Sequence, residues 1–182
     1  MRTHIQKSEL EAMGVCDEYQ GNIVSLFFGS RSEMTLDTLA NDIGTKGFLP
    51  NGDRSKDVLW VFVNLMSRQE RLKFASSIIH DCCESSPNDI VHDTLDLMAL
   101  FLEGNSSEIE VASQREIVET LLHETEQGTQ LYKLVDATRQ LMNPMDSQKS
   151  VMRICRFVEN HHPNATYKKF ASLGVKILKG EI

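Results

Sequence analysis

At 182 residues and 20.6 kDa the chain has room for one compact domain or two small ones, which excludes a large multidomain assembly. Hydrophobic residues make up 41% and charged residues 25%, a globular composition that excludes wholesale disorder. The 19 Lys+Arg against 26 Asp+Glu give a net charge of −7, which excludes a uniform nucleic-acid-binding coat, yet the charge is polarised: residues 1–132 carry 10 basic and 22 acidic side chains, residues 133–182 carry 9 and 4.

Four prolines and 10 glycines separate stretches with apolar residues at three- and four-residue spacing, so the expected fold class is all-α. In chain order, helices are expected at about 3–12, 17–28, 35–43, 54–65, 68–80, 88–102, 108–124, 129–142, 146–160 and 164–179. Ser8, Ser67, Ser107 and Ser113 each stand three residues before a Glu, the capping-box spacing, and at least two of these four are expected inside helices instead. Gly29, Gly44, Gly47, Pro50-Asn51-Gly52, Gly104 and Gly128 supply stops, as do Asn143-Pro144 and His162-Pro163. The most linker-like stretch runs from Cys82 to Asn88. It predicts an N-terminal helical subdomain over 1–80, a linker over 81–88, a second helical subdomain over 89–160, and a C-terminal helix in 161–182. Ile90, Leu95, Leu97, Met98, Leu100, Phe101 and Leu102 make one helix apolar nearly all round, which predicts a buried hub.

The N-terminus, MRTHIQKSELEAMG, has no apolar signal core. The longest apolar run, Val58 to Met66, is under half the ~20 residues of a spanning helix, so membrane contact is expected to be peripheral. Cys16, Cys82, Cys83 and Cys155 form no CxxC pair and predict free thiols in a reducing compartment. No phosphate loop, dinucleotide turn, nucleophile elbow or HExxH helix occurs, so no catalytic residue and no cofactor are assigned and an enzyme is not expected. His80-Asp81-Cys82-Cys83 with His92, and Cys155 with His161-His162, lack zinc-ligand spacing. A helix end and helix-exit histidines are the preferred readings, and no metal is predicted.

The basic third comprises Lys133, Arg139, Lys149, Arg153, Arg156, Lys168, Lys169, Lys176 and Lys179. Lys149, Arg153 and Arg156 stand at i, i+4 and i+7, which places three cations on one helix face, with Val151, Ile154, Cys155 and Val158 pointing elsewhere. Lys169, Lys176 and Lys179 are roughly aligned on the last helix. An anion-binding face and an ordinary solvated face both fit this pattern. Imidazoles ordinarily titrate near ~6.5, so His161 and His162 are candidates for a pH switch that adds charge to this third in mild acid.

Four stretches stand in order with near-gapless spacing: Phe28-Gly-Ser-Arg-Ser-Glu-Met-Thr-Leu-Asp-Thr-Leu, Gly44-Thr-Lys-Gly-Phe-Leu, Val58-Leu-Trp-Val-Phe-Val-Asn-Leu, and Ser67-Arg-Gln-Glu-Arg-Leu-Lys-Phe74. In this the chain resembles the matrix protein of the orthomyxoviruses, as a divergent member. Glu108-Ile109, Arg115-Glu116-Ile117, Leu134-Val-Asp-Ala-Thr138 and Asp146-Ser-Gln148 extend the resemblance to about residues 15–155. It implies two small helical subdomains joined by a linker, and a further C-terminal domain of which 182 residues would hold only the beginning. It also implies a structural protein that self-assembles beneath the viral envelope, binds the anionic inner leaflet and links it to the viral ribonucleoprotein. The matching locations are the virion and, during infection, the host cytoplasm, nucleus and inner face of the plasma membrane. Arg71 and Lys73 match positions in the family's arginine cluster, and Arg68 lies one turn before them. The family's basic stretch aligns with Glu103-Gly-Asn-Ser-Ser107, which holds no base and argues against direct RNA binding there. The family's proposed zinc cluster aligns with Asp136 to Ser150, which holds neither Cys nor His.

A different class of function also fits the residues: an all-helical intracellular adaptor that takes a partner helix into a groove lined by Trp60, Phe62 and Met66.

Overall fold

The computed structural model describes residues 2–13, 28–41, 55–83, 89–142, 147–162 and 165–182, without the side chains of Ser55, Cys82, Cys83, Ser147 and His161. The helix expected at 17–28, apart from Phe28, the turn at Thr45-Lys46-Gly47 and residues 84–88 of the expected linker lie outside the described residues. The elements are β1 (His4–Gln6), α1 (Lys7–Ala12), β2 (Glu33–Thr35), α2 (Leu36–Asn41), α3 (Ser55–Leu65), α4 (Arg68–Cys83), α5 (Asp89–Leu102), α6 (Glu108–Glu124), α7 (Gln130–Leu141), α8 (Ser147–His161) and α9 (Tyr167–Lys179). The fold is mainly helical, as the spacing predicts. No helix among the described residues is long and apolar enough to cross a membrane.

The helices gather into two compact units, Met1–Leu65 with Tyr167–Ile182, and Met66–Thr166. In the first, β1 and β2 form a short antiparallel ribbon that pairs Ile5 with Met34. Strand alternation sends these two side chains into the core and leaves their neighbours outside it. The sequence reading starts a helix at residue 3, but residues 4–6 are strand. Helix α1 begins only at Lys7, where the Gln6 N–H donates to the Glu9 carboxylate at 2.9 Å. The main body of this unit is α3 packed on α9: Val58, Leu59, Val61, Phe62 and Val63 are buried on one helix, Phe170, Ala171, Val175, Ile177 and Leu178 on the other. The Arg2 N–H donates to the Leu178 carbonyl at 2.7 Å, and Lys179 Nζ donates to both oxygens of Asp37 at 2.7 Å.

The second unit is a bundle of α4 to α8. Its central helices are α4, which packs on α5, α7 and α8, and α7, which packs on α4, α5, α6 and α8. The apolar α5 is not the hub. Only Val91, Thr94, Leu95 and Met98, a single i, i+3, i+4, i+7 stripe, are buried, and Leu100 is 45% exposed. The reason is its place at the side of the bundle, with neighbours on one face. Two capping boxes form as read: the Ser67 N–H donates to Glu70 and the Ser107 N–H to Glu110, each at 2.7 Å, with both hydroxyls accepting the return bond at 3.2 Å. Ser8 and Ser113 lie inside α1 and α6.

The division between units falls at Leu65/Met66 and Thr166/Tyr167, whereas the composition reading puts it at 81–88. Helix α4 decides this. Its buried Phe74, Ala75, Ile78 and Ile79 belong to a helix packed on α5 and α8, so it joins the elements that follow it. Likewise α9 belongs to the first unit through α3, although nothing in its own sequence names that neighbour.

Candidate functional site

Helix α8 buries Ser150, Val151, Ile154, Cys155 and Val158 and leaves Lys149, Arg153, Arg156 and Asn160 exposed. Its strong segregation follows from the i, i+4, i+7 spacing of cations opposite an i, i+3, i+4, i+7 apolar stripe. The three cations span ~10 Å of helix. Arg153 and Arg156 are both exposed, and neither has an ion-pair partner among the described residues.

Beside this ridge, α7 and α8 flank an open groove of about 300 Å³, with Lys133 on the α7 wall and Arg153 and Arg156 on the α8 wall. Asp136 is the acidic side chain lining the groove, and its carboxylate is already engaged. Oδ1 accepts from Arg139 Nε at 3.1 Å and Nη2 at 2.7 Å, and Oδ2 accepts from Gln140 Nε2 at 2.9 Å. The Gln140 Oε1 atom is buried and has no hydrogen-bond partner among the described residues. Tyr132, Ala137, Ile154 and Phe157 supply apolar surface, and Asn160 an amide. The groove was not read from the sequence. A signal was present: Lys133, Asp136, Ala137 and Gln140 share the same i, i+3, i+4, i+7 spacing on α7, but nothing local says that this face meets α8.

The other candidate cations are dispersed. Arg139 is held by Asp136 three residues away and does not join the ridge. Arg68 Nη1 lies 3.5 Å from the Glu108 carboxylate, and its guanidinium sits 5.9 Å from the centre of the Phe101 ring, so it ties α4 to α5 and α6. Arg71 is half-buried, and this partial burial holds its pKa below the usual arginine value against the pull of Glu70. Lys73 is exposed but stands ~200° around α4 from Arg71, so the two do not make one surface. Lys168, Lys169 and Lys176 are exposed on α9 in the first unit, whereas Lys179 is drawn to Asp37, whose carboxylate raises the lysine's pKa.

Cys155 is completely buried, and burial pushes its thiol far above the usual range, so it is no thiolate nucleophile or ready metal ligand. His162 is half-buried just beyond α8, its N–H donating to the Val158 carbonyl at 2.9 Å, while the His161 side chain lies outside the described residues. His80 and Asp81 are exposed on the last turn of α4, and the Cys82 and Cys83 side chains lie outside the described residues. Among the described residues no three His, Cys, Asp or Glu side chains are grouped to hold a metal. Phe62 and Met66 are buried, and Trp60 is half-buried.

Comparisons with protein-family models, with curated proteins and with solved structures give no match to this chain.

Proposed function

We propose that this chain is a structural protein that assembles as a layer on an anionic membrane face, the role implied by its resemblance to the orthomyxovirus matrix proteins. The observation that carries the reading is the α8 ridge: three exposed cations on one helix face, two of them arginines without an ion-pair partner among the described residues. Each Lys or Arg near anionic lipid contributes about 1 kcal/mol, so one ridge holds a single copy only weakly. Many copies joined to one another bind far more tightly through effective concentration, and self-assembly is therefore part of the function rather than an accompaniment to it. The acidic first 132 residues and basic last 50 carry opposite net charge, which favours contacts between copies. Linkage to a ribonucleoprotein follows from the resemblance alone.

Flotation with vesicles of phosphatidylcholine, with and without phosphatidylserine, tests the membrane part. Binding is expected only with the anionic lipid, falling as salt rises and lost in Lys149→Glu/Arg153→Glu/Arg156→Glu. Equal, salt-insensitive binding to both vesicles would overturn it. Electron microscopy at high protein concentration is expected to show ordered tubes or sheets, and a protein that stays monomeric there contradicts the assembly part. If His161 and His162 sit at an electropositive interface between copies, assembly is expected to weaken between about pH 7 and about pH 5. Stronger assembly in acid would instead point to relief of the net negative charge.

A further inference from the structure

We propose that the open α7/α8 groove receives the exposed crest of α6 from a second copy of this chain, so that copies join head to tail. The inference rests on the self-assembly part of the reading above and names the two surfaces that carry it.

The groove suits an apolar occupant. Tyr132, Ala137, Ile154 and Phe157 give it a mostly apolar lining, and Asp136, the carboxylate on its wall, is held by Arg139 and Gln140. A volume of about 300 Å³ equals on the order of ten waters, which admits a few side chains but not a whole helix. From Tyr132 to Gln140 the α7 wall runs ~12 Å.

Helix α6 carries the matching feature. Ile109 is 79% exposed and Ile117 is 47% exposed, although both are large apolar side chains. They stand eight residues apart, ~12 Å along the axis and ~80° around it, so one crest presents both over the length of the groove. A lone exposed isoleucine is ordinary, whereas two on one crest at the length of an apolar groove suit the docking of a helix into it. Helix α6 packs on α5 and α7 and buries Val118, on the side opposite this crest. The crest therefore faces away from its own bundle, and the groove it fills belongs to another copy.

Charge selects a second copy over other apolar occupants. Glu116 and Glu124 are exposed on the same crest, and neither has an ion-pair partner among the described residues. Arg153 stands ~40° from Phe157 around α8, so this exposed guanidinium borders the apolar lining. Lys149 and Arg156 stand ~80° and ~100° from Phe157, farther round the ridge, and are left to the lipid surface. Isoleucines flanked by carboxylates thus meet an apolar groove flanked by a guanidinium, with opposite signs around matched apolar centres. Because the two surfaces differ, the contact is heterologous and repeats from copy to copy, which is the geometry an extended assembly needs.

Sedimentation velocity over a concentration series reads the contact, and thermal melts show whether each variant stays folded. Ile109→Ser/Ile117→Ser, Arg153→Glu and Glu116→Arg/Glu124→Arg are each expected to weaken self-association about tenfold or more. An equimolar mixture of the Arg153→Glu and Glu116→Arg/Glu124→Arg proteins is expected to regain association, because each groove then meets a crest of opposite sign. Native-strength association in the isoleucine variant, or a mixture no stronger than its components, overturns this interface and leaves the layer reading standing. Unaltered protein that stays monomeric at every concentration overturns the interface and the assembly reading together. Association through these residues without binding to phosphatidylserine vesicles supports the interface and overturns the membrane role. Native-strength association in Arg153→Glu together with lost vesicle binding assigns the groove to lipid and overturns the interface.

Discussion

Gly104 closes α5 at φ 77°, in the left-handed region that only glycine enters without cost. The Asn105 N–H then reaches the Leu100 carbonyl at 2.8 Å, the six-to-one bond of a Schellman ending. A Cβ at this position would meet open space, so Gly104→Ala carries backbone strain alone. A loss of about 1–2 kcal/mol is expected in thermal or urea unfolding, with the fold unchanged. Cys155 makes a second prediction at this scale. Its buried, protonated thiol should stay unlabelled when native protein is treated with a maleimide and digested for mass mapping, and should label fully in denaturant. Lys179 makes a third. Its pKa is raised by Asp37, so the contact contributes stability that is fully present below the ordinary lysine value of about 10.4 and is lost as pH rises through the higher native value. The urea midpoint should therefore fall in strong alkali, and Asp37→Asn should flatten that fall.

At the scale of elements, the capping boxes of α4 and α6 join sequence to stability most directly. Ser67→Ala removes the hydroxyl that accepts the Glu70 N–H and should cost about 1 kcal/mol in urea unfolding. Glu110 is held below the usual carboxylate value first by the Ser107 backbone N–H and then by the Ser107 hydroxyl, and Glu9 is held down first by the Gln6 N–H. Groups depressed in the native state contribute stability above their unfolded value of about 4.3 and lose it as pH falls through the native one. Unfolding by urea should become easier below about pH 4 for this reason. Glu110→Gln keeps an acceptor for the Ser107 N–H but cannot titrate, so it should make the acid loss shallower. Helix α8 is the clearest case of an element readable from its own residues: the cation and apolar spacings each define a face, and the two faces appear as read.

At the scale of the whole molecule, a chain with net charge −7 carries an excess of positive charge in residues 133–182, but only part of that segment forms a surface. Lys179 and Arg139 are consumed by acids of the same chain, and of the remainder Lys133, Lys149, Arg153 and Arg156 lie on α7 and α8. Helix α9 is the other long-range feature. Truncation after Thr166 exposes Val58, Phe62 and their neighbours on α3, so amide exchange in α3 should rise sharply while α4 to α8 keep their protection. Equal protection of α3 with and without α9 would contradict that arrangement.

What the sequence by itself determined was local: helix content and most helix positions, the Ser67 and Ser107 caps, and the cation face of α8. Each depends on residues three to seven apart, whose relative placement a helix sets without help from the rest of the chain. The tertiary structure decided what depends on distant neighbours. It made residues 4–6 a strand because Ile5 pairs with Met34, and placed α5 at the side of its bundle despite its apolar composition. It also turned Lys179 from a free cation into the partner of Asp37, 142 positions away. The α7/α8 groove belongs to the same class, since each wall is legible alone and the concavity exists only where the two helices meet. Packing energy chooses such pairings by burying surface from remote parts of the chain, and a linear pattern records which face is apolar but not which face it will meet.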